Sequence, residues 1–173
     1  MAVLDGHLHV IGGRDQRSID WHEVYDPRTD TWETRAPIPG PRDHASAVVI
    51  AGRIHVVGGR MDTFDFNTGL HVAYDPKGDK WEQRAPLPTP RSGHGAVLFR
   101  GRLFVFGGEG TRRVFGQHEA YGPRTDQWES CAPMPTPRHG LAAGVIGDWI
   151  HVAGGGPMQG GAIQSATHEA FTV

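Results

Sequence analysis

Histidine, arginine and cysteine are the side chains of this chain that could hold a metal ion, grip an anion or act as a nucleophile. Eleven histidines invite a metal site. Four of them, His22, His71, His118 and His168, each stand three residues before an aromatic ring: Tyr25, Tyr74, Tyr121 and Phe171. Three arginines, Arg42, Arg91 and Arg138, each follow a proline, and a guanidinium fork suits a carboxylate by shape as well as by charge. Arg60, Glu109, Arg112 and Arg113 lie in variable segments just after Gly-Gly pairs. Cys131 is the only cysteine, so neither an intrachain disulfide nor a thiolate metal cluster can form. No nucleophile elbow, phosphate-binding loop or paired-carboxylate motif occurs.

These residues recur because the chain does. Gly-Gly pairs fall at Gly12-Gly13, Gly58-Gly59, Gly107-Gly108 and Gly154-Gly155, giving spacings of 46, 49 and 47 residues. Trp32, Trp81 and Trp128 follow at 49 and 47. Each unit reads as four short strands. An apolar run such as HASAVVI turns through a glycine-containing pair (Ala51-Gly52, Arg100-Gly101, Gly147-Asp148) into a strand ending in the diglycine. A variable loop leads to HEVYDP, HVAYDP or HEAYGP, and a proline turn then opens the tryptophan strand. Proline-rich APIPGPR, APLPTPR and APMPTPR close the units. No segment keeps a helical period over 10 to 12 residues, so the chain is expected to be all-β, with no helix beyond one turn.

A diglycine, then an aromatic, then a tryptophan at a period near 50 resembles the kelch repeat, and the resemblance covers nearly the whole chain. It implies a β-propeller of about four four-stranded blades, with units at approximately 1–40, 41–89, 90–136 and 137–173 in a single domain. Tyrosine and tryptophan columns supply the area by which one blade packs on the next. Aligned on the turn glycine, Met1 falls opposite Ala47, and Val173 opposite Pro27. The first unit then has a clipped innermost strand and the last only three strands. The expectation is an incomplete or open ring, the C-terminal part of a longer kelch propeller, with a compact four-bladed ring as the alternative.

On that layout the His22, His71, His118, His168 column lies on third strands, so its members are more than about 10 Å apart in neighbouring blades. Ligands of one zinc ion must all come within about 2.1 Å of it. No metal site and no cofactor is expected. His9, His55 and His151 share a column with Phe104, which points to packing. Copper-radical oxidases within the wider kelch group need a cysteine joined to a tyrosine, but Cys131 occupies the column of Arg35 and Arg84 and reads as an inert thiol.

Arg42, Arg91 and Arg138 enter innermost strands and are expected near one mouth of the channel. They would hold an anion there, or else tie down loop carbonyls. The variable loops 14–20, 60–69, 109–117 and 156–166 are the expected recognition surface. A net charge of −2 and a pI near 6.6 give no electrostatic reason for nucleic acid or anionic lipid as a partner. No basic stretch followed by an apolar run marks a leader, and the cellular compartment stays open. The reading is a binding scaffold for a protein or peptide partner, or an anionic small molecule, through Arg42, Arg91, Arg138, Arg60, Glu109, Arg112 and Arg113. The alternative is part of a carbohydrate-active enzyme, since some bacterial kelch propellers are mutarotases of acidic sugars.

Overall fold

The computed structural model describes residues 1–172; Val173, the end of the fourth unit, lies outside them. Four antiparallel sheets follow one another along the chain. The first blade has strands β1 (Ala2–Leu4), β2 (His7–Arg14), β3 (Ser18–Asp26) and β4 (Thr31–Thr34). The second has β5 (Ser46–Ile50), β6 (Arg53–Val57), β7 (His71–Asp75) and β8 (Lys80–Gln83). The third has β9 (Gly95–Phe99), β10 (Arg102–Phe106), β13 (His118–Gly122) and β14 (Gln127–Ser130), with a small hairpin of β11 (Glu109–Gly110) and β12 (Arg113–Val114) in its loop. The fourth has β15 (Ala142–Ile146), β16 (Trp149–Ala153) and β17 (His168–Phe171). Among the described residues β1 has 3 residues against 5 in β5, β9 and β15, and the last blade has three strands, as the alignment expects. A single 3-10 turn at Phe64–Phe66 is the only helical element among the described residues.

Local chemistry explains the strand order. The β1–β2, β5–β6 and β9–β10 turns use Asp5-Gly6, Ala51-Gly52 and Arg100-Gly101, all with positive φ, the geometry that lets two strands continue their twist through a two-residue turn. The diglycine has an inter-blade role. Gly13, Gly59 and Gly108 donate their N–H to the carbonyls of Arg42, Arg91 and Arg138 at 2.9, 3.0 and 2.8 Å, stitching each blade to the next. A Cβ on Gly12 would sit 2.6 Å from the Arg42 carbonyl oxygen, and one on Gly58 2.8 Å from that of Arg91, so a side chain there would break the stitch.

The core lies in the seams between blades rather than within any one sheet. Tyr74 with Ile54, Val56 and Val72 fills the first seam, and Tyr121 with Val57, Leu103 and Val105 the second. Phe104, Phe106, Ile150 and Val152 fill the third. Each seam is plugged from a proline-rich linker by Ile38, Leu87 or Met134, all buried. Burying such a side chain contributes about 1.5–3 kcal/mol. Innermost strands β1, β5, β9 and β15 stand side by side in that order.

Candidate binding face

In an antiparallel blade the β2–β3 type of loop and the linker into the next blade leave the sheet at the same end. The end after each diglycine therefore gathers both kinds of segment. On this face a chain of charges runs from blade to blade. Arg14 of the first blade lies 3.6 Å from Asp43 at the entry of the second. Arg60, after the second diglycine, donates through Nε to Asp43 at 3.0 Å and through Nη1 to Glu109 at 3.2 Å. Glu109, after the third diglycine, lies 3.4 Å from His139 at the entry of the fourth and accepts the Gly160 N–H at 3.0 Å. Asp43 and Glu109 are buried. Burial pushes the Asp43 carboxyl up, but hydrogen bonds from Ser18 and His44 and the Arg60 charge outweigh it and hold it below the usual carboxylate range.

The loops built on this chain are knitted together. Asp62 takes Arg17 at 2.8 Å and the Ser18 N–H at 2.7 Å, joining the first two loops. Thr111 Oγ1 donates to Asp65 at 2.5 Å and Asn67 to the Glu109 carbonyl at 2.7 Å, joining the second and third. The Arg112 N–H donates to Gln159 at 3.2 Å, joining the third and fourth. Arg60 lies over the Phe64 ring at 4.3 Å and Arg113 over Phe115 at 4.1 Å, cation–π contacts that hold both guanidinium groups in place. The outer surface of this belt presents Arg112 and Arg113, together with Phe66, Met158 and Met61. Phe66 and Met158 are 64% and 58% exposed.

Of the residues singled out from the sequence, Arg60, Glu109, Arg112 and Arg113 come together here. Arg42, Arg91 and Arg138 do not. Each is buried, at 1%, 0% and 0% exposure, and turned into its own blade. Arg91 donates to the carbonyls of Gly107 and Thr89 and to the Glu119 carboxylate, and Arg138 to those of Gly154 and Thr167 and to Glu169. Of the two roles expected for this column the structure shows the tying down of carbonyls, joined by a carboxylate at Arg91 and Arg138, and it corrects the arginine-lined mouth, since none of the three faces solvent. Asp62 and Asn67 lie in the expected loop 60–69, whereas Asp43 and His139 were not foreseen as members of the face. Their signal was the pairing of charge between the column after Pro-Arg (Asp43, Ser92, His139) and the column after the diglycine (Arg14, Arg60, Glu109), which a reading of each column alone cannot reveal.

The histidines pair within blades. His9 Nδ1 lies 2.9 Å from His22 Nε2, and His55–His71 and His151–His168 repeat that bond at 2.9 Å. His22 and His71 also place Nδ1 at 3.3 and 3.1 Å from the carbonyls of Ala36 and Ala85. A carbonyl only accepts, so Nδ1 of each carries the proton and Nε2 accepts from the partner ring. Burial, then the neighbouring histidine, pushes His55 down to about 3 and His9 down to about 4. In the third blade Phe104 replaces the donor, and His118 Nε2 is buried without a partner. No cluster of three or more metal-ligating side chains exists among the described residues. Burial pushes the Cys131 thiol up, away from reactivity.

The kelch expectation can be set against known proteins. The family model described as the KLHDC2/KLHL20/DRC7 Kelch-repeats domain matches residues 1–169. Human Kelch-like protein 35 is 40% identical over 60 residues, which span 34% of this chain and 10% of that protein. An F-box/kelch-repeat protein of Arabidopsis thaliana is 35% identical over 63 residues, 34% of this chain and 15% of its own. The chain thus matches only a small part of the length of these relatives. The solved structure of YjhT superposes with a TM-score of 0.79 at 20% identity, covering 89% of this chain and 57% of that one, a likeness of fold. Repeat, fold and family model agree: this chain belongs to the kelch-repeat family of β-propeller proteins.

Proposed function

We infer that this kelch scaffold binds a protein or peptide across the knitted loop face of its second, third and fourth blades. The observation that carries the reading is the belt itself. Arg60, Glu109, Thr111 and Gln159 hold three loops to one another from beneath, so Phe66, Met158, Arg112 and Arg113 are displayed on a pre-organised surface. Loops fixed before binding lose less entropy when a partner docks. Apolar side chains beside guanidinium groups suit an extended segment that carries an apolar anchor and an acidic group. The kelch-like and F-box/kelch relatives are consistent with a scaffold role.

The test is selection of peptides from a display library, followed by calorimetry. The double substitution Phe66→Ala with Arg112→Ala should weaken a selected peptide at least about tenfold, or 1.4 kcal/mol. Arg124→Ala, in the β13–β14 turn at the opposite end of the third blade, should leave affinity unchanged. Peptides indifferent to the double substitution, or equally sensitive to Arg124→Ala, would remove the loop face as the site.

A further inference from the structure

In the third and fourth blades the arginine entering the blade meets one repeated arrangement. Arg91 Nη1 donates to Glu119, whose other oxygen accepts from Thr89 Oγ1 at 2.7 Å. Arg138 Nη2 donates to Glu169 at 2.7 Å, and the other oxygen of Glu169 accepts the Thr136 N–H at 3.0 Å. In the second blade both partners are replaced. Val72 stands in the glutamate column and Gly40 in the threonine column. The arginine remains.

Arg42 is 1% exposed. Its Nη1 donates to the carbonyls of Pro39 and Gly40 at 2.7 and 2.9 Å. Nε and Nη2 are buried with no partner. Burial pushes the group down to about 10, so it stays charged at neutral pH. The nearest acidic neighbour in the chain, Asp43, is engaged by Ser18, His44 and Arg60. A buried guanidinium with two idle donors and no counter-ion is unfavourable, and an ion that supplies the missing charge stabilises the fold that holds it. Nε and Nη2 form a side-on fork with two parallel N–H bonds, a geometry that holds a compact anion. Valine and glycine lack the carboxylate that meets Nη1 of Arg91 and Nη2 of Arg138 and the threonine side chain beside it. A cavity of about 260 Å³, lined by Ile11, Gly12, Arg42, Ala47 and Val56 among others, borders this seam on the channel side.

We propose that the seam between the first and second blades binds a small monovalent anion, chloride in ordinary buffers, on Nε and Nη2 of Arg42. The ion supplies the negative charge that a glutamate carboxylate supplies, on Nη1 of Arg91 and Nη2 of Arg138, in the two following seams. It is a structural counter-ion, independent of the loop face.

The test exchanges chloride for gluconate, an anion too bulky for the seam, at constant ionic strength. The urea midpoint of the parent should rise with chloride and saturate. Val72→Glu brings the carboxylate in from β7, and its midpoint should not respond to chloride. In bromide-soaked crystals of the parent, an anomalous peak should lie within hydrogen-bond distance of Arg42 Nε or Nη2. Equal chloride dependence in the two proteins, or none in the parent, would overturn the proposal. Should Val72→Glu fail to fold, a bromide map with no peak at Arg42 would overturn it alone.

Discussion

Arg91 and Arg112 differ in nothing but their place in the fold, and that place separates their roles. Arg91 is buried against Glu119 and three carbonyls, whereas Arg112 stands on the exposed loop rim. Removing one member of a buried ion pair leaves the other charged and unpaired, a loss of about 3–5 kcal/mol. Arg91→Ala should therefore lower stability by that amount in urea denaturation, while Arg112→Ala should stay within about 0.5 kcal/mol. A small loss at Arg91 would mean that water enters the second seam and solvates Glu119. From the sequence alone both arginines qualified as ligand groups, since periodicity marks a position as repeated without saying whether it faces solvent or seam.

Within a blade the unit of stabilisation is the His–Tyr–Trp cluster laid across a seam. Trp81 donates Nε1–H to the Ala36 carbonyl of the preceding linker at 2.8 Å, and Trp128 repeats the bond to Ala85 at 2.8 Å. Tyr74 meets the edge of His22 with ring centroids 4.5 Å apart, and Tyr121 meets His71 in the same way. Trp81→Ala should cost about 3–5 kcal/mol, because it empties a seam and removes one of the two hydrogen bonds to the Ala36 carbonyl. Trp32, in the same column but 55% exposed, should cost less than about 1 kcal/mol, and equal losses would show that the seams do not carry the fold. The histidine pairs add a pH dependence with a definite sign. The ordinary pKa is near 6.5, and His55 and His71 are pushed down to about 3 and about 4, mainly by burial. The unfolded chain takes up protons first as pH falls below about 6.5, so stability drops from there toward pH 4. His55→Phe copies Phe104 of the third blade and removes one such group. The slope of stability against pH between about 6.5 and 4 should shrink by up to ~1.4 kcal/mol per unit. An unchanged slope in pH-resolved urea titrations would place the sensitivity elsewhere. The columns of this element could be read from residue spacing, but the pairing across two columns depends on register, since β6 sets His55 opposite Ala73 and its ring reaches diagonally to His71.

At the scale of the whole molecule, four blades stand in series, and the outward faces of the first and last carry exposed apolar side chains. The first blade exposes Met1, Val3 and Trp32, and the fourth Ile146 and Trp149. Faces of one repeat that elsewhere pack on the next make a head-to-tail contact between copies. The isolated chain is expected to self-associate with rising concentration in light scattering, and association should weaken in a Trp32→Ala, Ile146→Ser double variant. A concentration-independent monomer would show that the end faces are tolerated in water. The sequence by itself determined the strand content, the order of strands in each blade, the four units and the family, because diglycine, tyrosine and tryptophan columns encode turns and seams through local backbone freedom and side-chain size. Only the tertiary structure decided which repeated side chains face inward. It buried Arg42, Arg91 and Arg138, joined Arg60 to Glu109 across two blades, and left Arg42 without the carboxylate its sister positions have. The reason is physical: a period along the chain fixes what recurs, while burial and pairing arise between segments about 50 residues apart, and these meet only when one blade packs on the next.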